Sequence, residues 1–248
     1  MKTGRSILIL GATSEIARAA VEAVARPEDT LLLAARDEND LEFIASHFRV
    51  TLQCECHTLR FDAAQPATHE LFANATIKLL GTPEIVLLAT GYLGNHDRDQ
   101  DNISKIIHIS ASNFWGVMSG IARIIPLMEQ NKKGVIIVLS SVAGDRGRRS
   151  NYLYGASKSA INEYASGLRS RLHQSGIRVC TLKLGYVTTR MIYGRQNYFL
   201  AASTTKTARR IARLINHPRD IVYFPRIWWF VMIVIRHLPE PLFKRINF

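Results

Sequence analysis

Apolar runs of strand length alternate with helix-length segments along this chain, and no other feature narrows its fold as far. Ser6–Leu10, Thr30–Ala34, Gln53–Phe61, Ile85–Ala89, Gly134–Ser140, Arg178–Leu184 and Ile221–Tyr223 predict strands. Several are almost continuous Val, Ile and Leu, the pattern of parallel strands covered on both faces. Glu15–Arg26, Asp37–Phe48, Pro66–Leu80, a stretch from Asp101 to Gln130, Tyr152–Ser175 and Thr205–Asn216 predict the helices between them. Crossovers between parallel strands are right-handed, so this progression predicts an α/β fold. Its doubly wound parallel sheet has about seven strands, with helices on both faces. A length of 248 residues suits one such domain. Residues 1–224 carry the sheet, and residues 225–248 form an apolar and basic extension expected to pack on the same domain or on a membrane surface.

Ligands of such sheets bind outside the carboxyl ends of the strands, so the strand-to-helix junctions carry the functional signal. The first junction reads Gly11-Ala12-Thr13-Ser14-Glu15-Ile16-Ala17. Small residues at a turn opening a helix let the backbone approach a pyrophosphate, and the helix N-terminus offers unpaired N–H groups; Thr13 and Ser14 are also candidate caps. At the second junction Ala35 stands where a carboxylate would bind an unmodified ribose, and the following Arg36 suits a 2′-phosphate. That favours NADP, with NAD open because Asp37 comes next. Asp62 closes the third strand as a candidate adenine contact or helix cap. Ala89-Thr90-Gly91 and Gly185-Tyr186-Val187-Thr188-Thr189 are small-residue exits that permit close approach of a flat cofactor, with Thr189 offering a hydroxyl to a carboxamide.

The chemistry is concentrated in Tyr154-Gly155-Ala156-Ser157-Lys158. The i,i+4 spacing places phenol and ammonium on one helix face. A neighbouring cation favours the tyrosinate and brings a group that titrates near ~10 toward neutral pH. Ser141, at the end of the preceding strand, adds a hydroxyl. Asn113 interrupts the long apolar helix, where asparagine is unfavourable without a structural or catalytic task.

The net charge of +12 and pI near 10.0 point to an anionic partner, either anionic lipid or a phosphorylated ligand. Nucleic acid is not expected, since there is no zinc-finger spacing, RNA-binding strand motif or long basic tail. Cys54, Cys56 and Cys180 read as free core thiols of a cytoplasmic protein, and no metal site is expected. Ser6–Leu10 is too short for the apolar segment of a signal peptide.

Together these positions resemble the short-chain dehydrogenase/reductase family in its compact single-domain, Rossmann-type form, over Ile7 to Tyr223. The resemblance implies an NAD(P)-dependent oxidoreductase whose catalytic tetrad is Asn113, Ser141, Tyr154 and Lys158. It implies cofactor contacts from Gly11, Thr13, Ser14, Glu15, Ile16, Arg36, Asp62, Ala89, Gly91, Tyr154, Lys158, Gly185, Val187 and Thr189, and a homodimer or homotetramer. Tyr154 would give the proton in reduction, Ser141 would hold the substrate oxygen, Lys158 would bind the nicotinamide ribose, and Asn113 would keep a helix distortion. The chain departs from the family pattern at Glu15 and Ala17, where glycine is usual, and at Leu184, where proline is usual.

A narrower resemblance, to the decaprenylphosphoryl-2-keto-erythro-pentose reductases within that family, is carried by three segments. They are Gly11–Ile16, the run from Ser140 to Asn151, and Val231–Pro239. It implies a keto-sugar substrate, polyprenyl-phosphate-linked, in cell-envelope synthesis. Arg146, Arg148 and Arg149, between Ser141 and Tyr154, are candidates to grip its phosphate. The run Ile227–Ile235 falls far short of the roughly 20 residues that span a bilayer, but suits peripheral contact at its inner face. A soluble reductase of a small ketone or acyl intermediate would use the same tetrad. A catalytically silent dinucleotide-binding regulator is the non-enzyme alternative, for which Ala17 is the best hint.

Overall fold

The computed structural model describes residues 4–192 and 200–246. The first half runs β1 (Ser6–Leu10), α1 (Glu15–Val24), β2 (Thr30–Ala35), α2 (Glu38–Thr51), β3 (Glu55–Arg60), α3 (His69–Leu80) and β4 (Ile85–Leu88). Then follow α4 (His96–Asp99), α5 (Ile103–Ser110), a π turn (Ala111–Trp115), α6 (Gly116–Ile121), α7 (Ile124–Asn131) and β5 (Val135–Ser141). The remainder is α8 (Tyr152–Leu172), β6 (Arg178–Leu184), the two-residue strands β7 (Val187–Thr188) and β8 (Ala202–Ser203), α9 (Thr204–Asn216), β9 (Ile221–Phe224), α10 (Ile227–His237) and α11 (Glu240–Phe243).

Seven strands form one sheet in the order β3-β2-β1-β4-β5-β6-β9, with every pairing parallel. Alternate residues serve opposite faces, which explains the continuous apolar runs. Ile7, Ile9, Leu31, Leu33 and Ile137 meet α1, α2 and α9, whereas Leu8, Leu10, Leu32, Ile136 and Val138 meet α3, α6, α7 and α8. Strand order reverses between β1 and its neighbours β2 and β4, opening a crevice at their carboxyl ends.

Three differences from the sequence reading have local causes. β3 starts at Glu55 because Gln53 turns the chain with φ of 55°. The long middle helix is broken at Asn113, whose amide Nδ2 donates to the Ile109 carbonyl, the acceptor that an α-helical Asn113 N–H would use. The ladder widens there into the π turn. Finally, the apolar run after β9 is helix α10, which turns Trp228 and Met232 inward against Val142 and leaves Trp229, Phe230, Ile233 and Val234 exposed.

Arg146 fastens that helix. Its guanidinium donates to the carbonyls of Ile235 and Leu238, at 2.6 Å each, pairs with Glu240 at 2.8 Å and lies 3.7 Å over the Phe243 ring. A cation at a helix C-terminus satisfies carbonyls that have no partner in the helix and complements its dipole. The expectation that Arg146 grips a substrate phosphate is therefore corrected, because its donors are committed to the C-terminal segment. Beneath it, Asp145 accepts from Lys183 at 2.5 Å and from the Tyr223 hydroxyl at 2.7 Å, tying the chain after β5 to β6 and β9. Burial, together with the bond to the Asp145 carboxylate, pushes the Tyr223 hydroxyl far above its ordinary range.

Candidate active site

A cleft of about 540 Å³ lies along the switch point. Gly11 forms its floor with φ of 84°, and a Cβ there would come within 2.6 Å of the Thr90 backbone nitrogen. Only glycine combines that conformation with so close an approach. Ser14 occupies the N-cap of α1 but makes no side-chain cap bond, so the first N–H groups of α1 face the cleft without that competitor. Thr13, Ser14, Glu15, Ile16, Ala89 and Gly91 also line the cleft. Ala17 is fully buried in the core beneath this turn.

At the far end of the cleft stand Ala35, Arg36, Asp40, Phe43, Asp62 and Ala63. Asp37, the residue that argued against a 2′-phosphate, is occupied elsewhere: its carboxylate caps α2 by accepting from the Asp40 N–H at 3.0 Å. Arg36 is exposed at the end of β2. Asp62 accepts from the Ala64 N–H at 3.0 Å through one oxygen. A glycine floor, a helix N-terminus and a terminal arginine fit a dinucleotide with a diphosphate at its centre.

The second part of the crevice, about 160 Å³, is lined by Ser141, Tyr154, Lys158, Arg148, Gly185, Tyr186, Val187, Thr189 and Trp228. β5 carries Ser141 and α8 carries Tyr154 and Lys158; Gly155 lets α8 approach, since a Cβ there would meet the Ala143 carbonyl at 2.9 Å. Ser141 Oγ accepts from the Ala143 N–H at 3.1 Å, which aims the hydroxyl at the crevice mouth. Lys158 is buried, and its Nζ donates to the carbonyls of Leu139 (3.2 Å) and Thr90 (3.4 Å), 5.8 Å from the Tyr154 ring centroid. Burial lowers its pKa to about 8. Asn113 is also buried and holds the chain after β4 through both ends of its amide, accepting from the Tyr92 N–H (2.9 Å) and donating to the Tyr92 carbonyl (2.8 Å). Its Oδ1 and Lys158 Nζ lie 3.5 and 3.6 Å from where a Gly91 Cβ would stand, so the absent side chain leaves a passage between them.

Of the three loop arginines, Arg148 lines this part of the crevice, Arg149 is exposed outside it, and Arg146 braces α10. Sequence reasoning missed Trp228, Tyr186 and Met191 as lining residues. Trp228 and Met232, four residues apart and both buried, are the signal that would have revealed a helix with one face on the core. Among the described residues no group of side chains could hold a metal ion. The three cysteines are free and buried, and burial lifts the thiols of Cys56 and Cys180 to about 12 and about 11, leaving them protonated and inert.

The family profile described as short chain dehydrogenase matches residues 5–197. The chain belongs to this family. It is thus an NAD(P)-dependent oxidoreductase. Among curated relatives, an uncharacterised oxidoreductase of Streptomyces coelicolor is 31% identical, covering 98% of this chain and 96% of its own length. An uncharacterised oxidoreductase of Mycobacterium tuberculosis is 28% identical, over 96% of each chain. Among solved structures, a variant of actinorhodin polyketide ketoreductase with NADPH superposes with a TM-score of 0.80 at 18% identity, over 90% of this chain and 97% of that one. A short-chain type dehydrogenase/reductase from Mycobacterium marinum gives 0.80 at 18% identity, over 92% and 96%. At such identities these two structures speak for the shared fold.

Proposed function

We infer that the enzyme reduces the keto group of a sugar carried on a polyprenyl phosphate, using Asn113, Ser141, Tyr154 and Lys158. The observation that carries the catalytic part is that Ser141, Tyr154 and Lys158, from two separate elements, line one crevice beside the dinucleotide turn, with Asn113 buried behind Gly91 at its edge. Bound NADPH supplies the hydride to the carbonyl carbon. Ser141 Oγ holds the carbonyl oxygen, and the Tyr154 hydroxyl gives it a proton as the alkoxide forms. Lys158 holds the nicotinamide ribose and, while charged, stabilises the tyrosinate left behind. Asn113 fixes the turn after β4 and completes the proton path toward Lys158 through the space over Gly91. The family's oligomers suggest a homodimer or homotetramer packed through α5 and α8. Family membership argues against a catalytically silent regulator.

NADP(H) is the proposed cofactor, because Arg36 stands free at the β2 tip while Asp37 is spent on capping α2. NADPH is expected to bind more tightly than NADH. Arg36→Ala should weaken NADPH by about tenfold, the worth of one charge-assisted bond, and leave NADH nearly unchanged. Dissociation constants for both reduced cofactors check this, and a smaller constant for NADH would reverse the assignment.

The lipid-linked substrate is supported by Arg148 in the crevice and by α10, whose exposed Trp229, Phe230, Ile233 and Val234 are flanked by Arg226, Arg236 and His237. An apolar helix face with a cationic border suits shallow burial in anionic lipid. No helix among the described residues is long and apolar enough to cross a membrane, so the proposed contact is peripheral. A synthetic polyprenylphosphoryl keto-pentose is expected to be reduced with kcat/KM at least about tenfold above that of the free keto-pentose, Arg148 supplying a charge-assisted bond. The protein is also expected to sediment with anionic vesicles. Equal efficiencies and no vesicle binding would return the enzyme to soluble ketones.

A further inference from the structure

Glu15 is the first residue of α1 and lines the cofactor cleft, where the family usually has no side chain at all. A side chain where the family has none calls for a task of its own. The structure supplies one. Glu15 Oε1 accepts the Arg190 backbone N–H at 2.9 Å and lies 3.4 Å from the Arg190 Nε. One residue before Arg190, Thr189 lines both parts of the crevice. One residue after it, Met191 reaches across to the chain after β4, its Cε 4.0 Å from where a Gly91 Cβ would stand. Thr189–Met191 therefore spans the groove from α1 on one side to the β4 exit on the other, and Glu15 holds the α1 end.

We propose that Glu15 is a positioning residue for the cofactor, acting through the Arg190 main chain as a clasp that keeps Thr189–Met191 across the groove. NADP(H) enters and leaves when the clasp opens, and while it is shut Thr189 is held against the carboxamide. This rests on the cofactor placement given above, and not on the identity of the substrate. The essential bond uses a side-chain acceptor and a backbone donor. Glu15→Gln keeps the acceptor, whereas Glu15→Ala and Glu15→Gly remove it; the glycine variant carries the family's usual residue, so it retains the fold.

Stopped-flow mixing with NADPH tests the clasp without turnover. Both Glu15→Ala and Glu15→Gly are expected to speed association and release by about fivefold each, the worth of one hydrogen bond, so that Kd moves far less than either rate. In single-turnover reduction both variants should transfer hydride more slowly, and Glu15→Gln should match the parent in all three measurements. Faster release with unchanged association would make Glu15 an ordinary ligand contact and overturn the proposal. So would a Glu15→Gln variant behaving like Glu15→Ala, since charge alone would then be responsible. A tetrad assignment in error would leave these binding rates untouched, so the two ideas fail separately.

Discussion

Tyr154→Phe is expected to lower kcat for carbonyl reduction by about a thousandfold, as expected when a positioned proton donor is lost. NADPH should bind almost as before, because the ring remains and the glycine floor, α1 and Arg36 are untouched. The substitution removes one oxygen from a half-buried side chain on a long helix, so the melting temperature should barely move. Steady-state kinetics with NADPH titration and thermal unfolding separate these effects. Turnover near that of the parent would sink the assignment of Tyr154 as the proton donor.

Lys158→Met is expected to abolish turnover and at the same time stabilise the protein. The ammonium is buried, and desolvation moves its pKa from 10.5 to about 8. The unfolded chain binds the proton more tightly, so burying the charged group costs on the order of 3 kcal/mol at neutral pH. Leaving the buried carbonyls of Leu139 and Thr90 without this donor offsets about 1 kcal/mol for each. The net gain should be about 1 kcal/mol below pH 8. Above pH 8 the native lysine sheds its proton while the unfolded one keeps it, so the advantage of methionine shrinks as pH rises toward 10.5. Denaturant titrations at pH 7 and pH 10 read this directly. A less stable variant at both values would mean that the lysine is held by interactions stronger than its desolvation.

Most of the architecture was legible because each buried strand serves two apolar layers, and a strand such as Ile7–Leu10 can hardly be written any other way. The proposed tetrad could be picked out because three of its members sit at short separations on β5 and α8. What escaped depends on contacts between residues far apart in the chain. Arg146 looked like a phosphate ligand, since nothing in its neighbours announces that Ile235 and Leu238 will present their carbonyls to it. Glu15 read only as a departure from the family's glycine turn, since its partner Arg190 lies on the other side of the groove. In each case the residue type was informative, and the partner was supplied by tertiary folding.

The placement of Trp228 bears on how substrate range diverges among such enzymes. The family profile ends at residue 197, yet a wall of the crevice holding Ser141 and Tyr154 comes from beyond it, on a helix stapled down by Arg146. Two proteins can therefore share every profile position, tetrad included, and still differ in what they accept, because selectivity is written partly in a tail that the shared alignment leaves unscored. Exchanging that tail together with its Arg146 brace, leaving the chemistry in place, is a route to moving specificity from one such reductase to another.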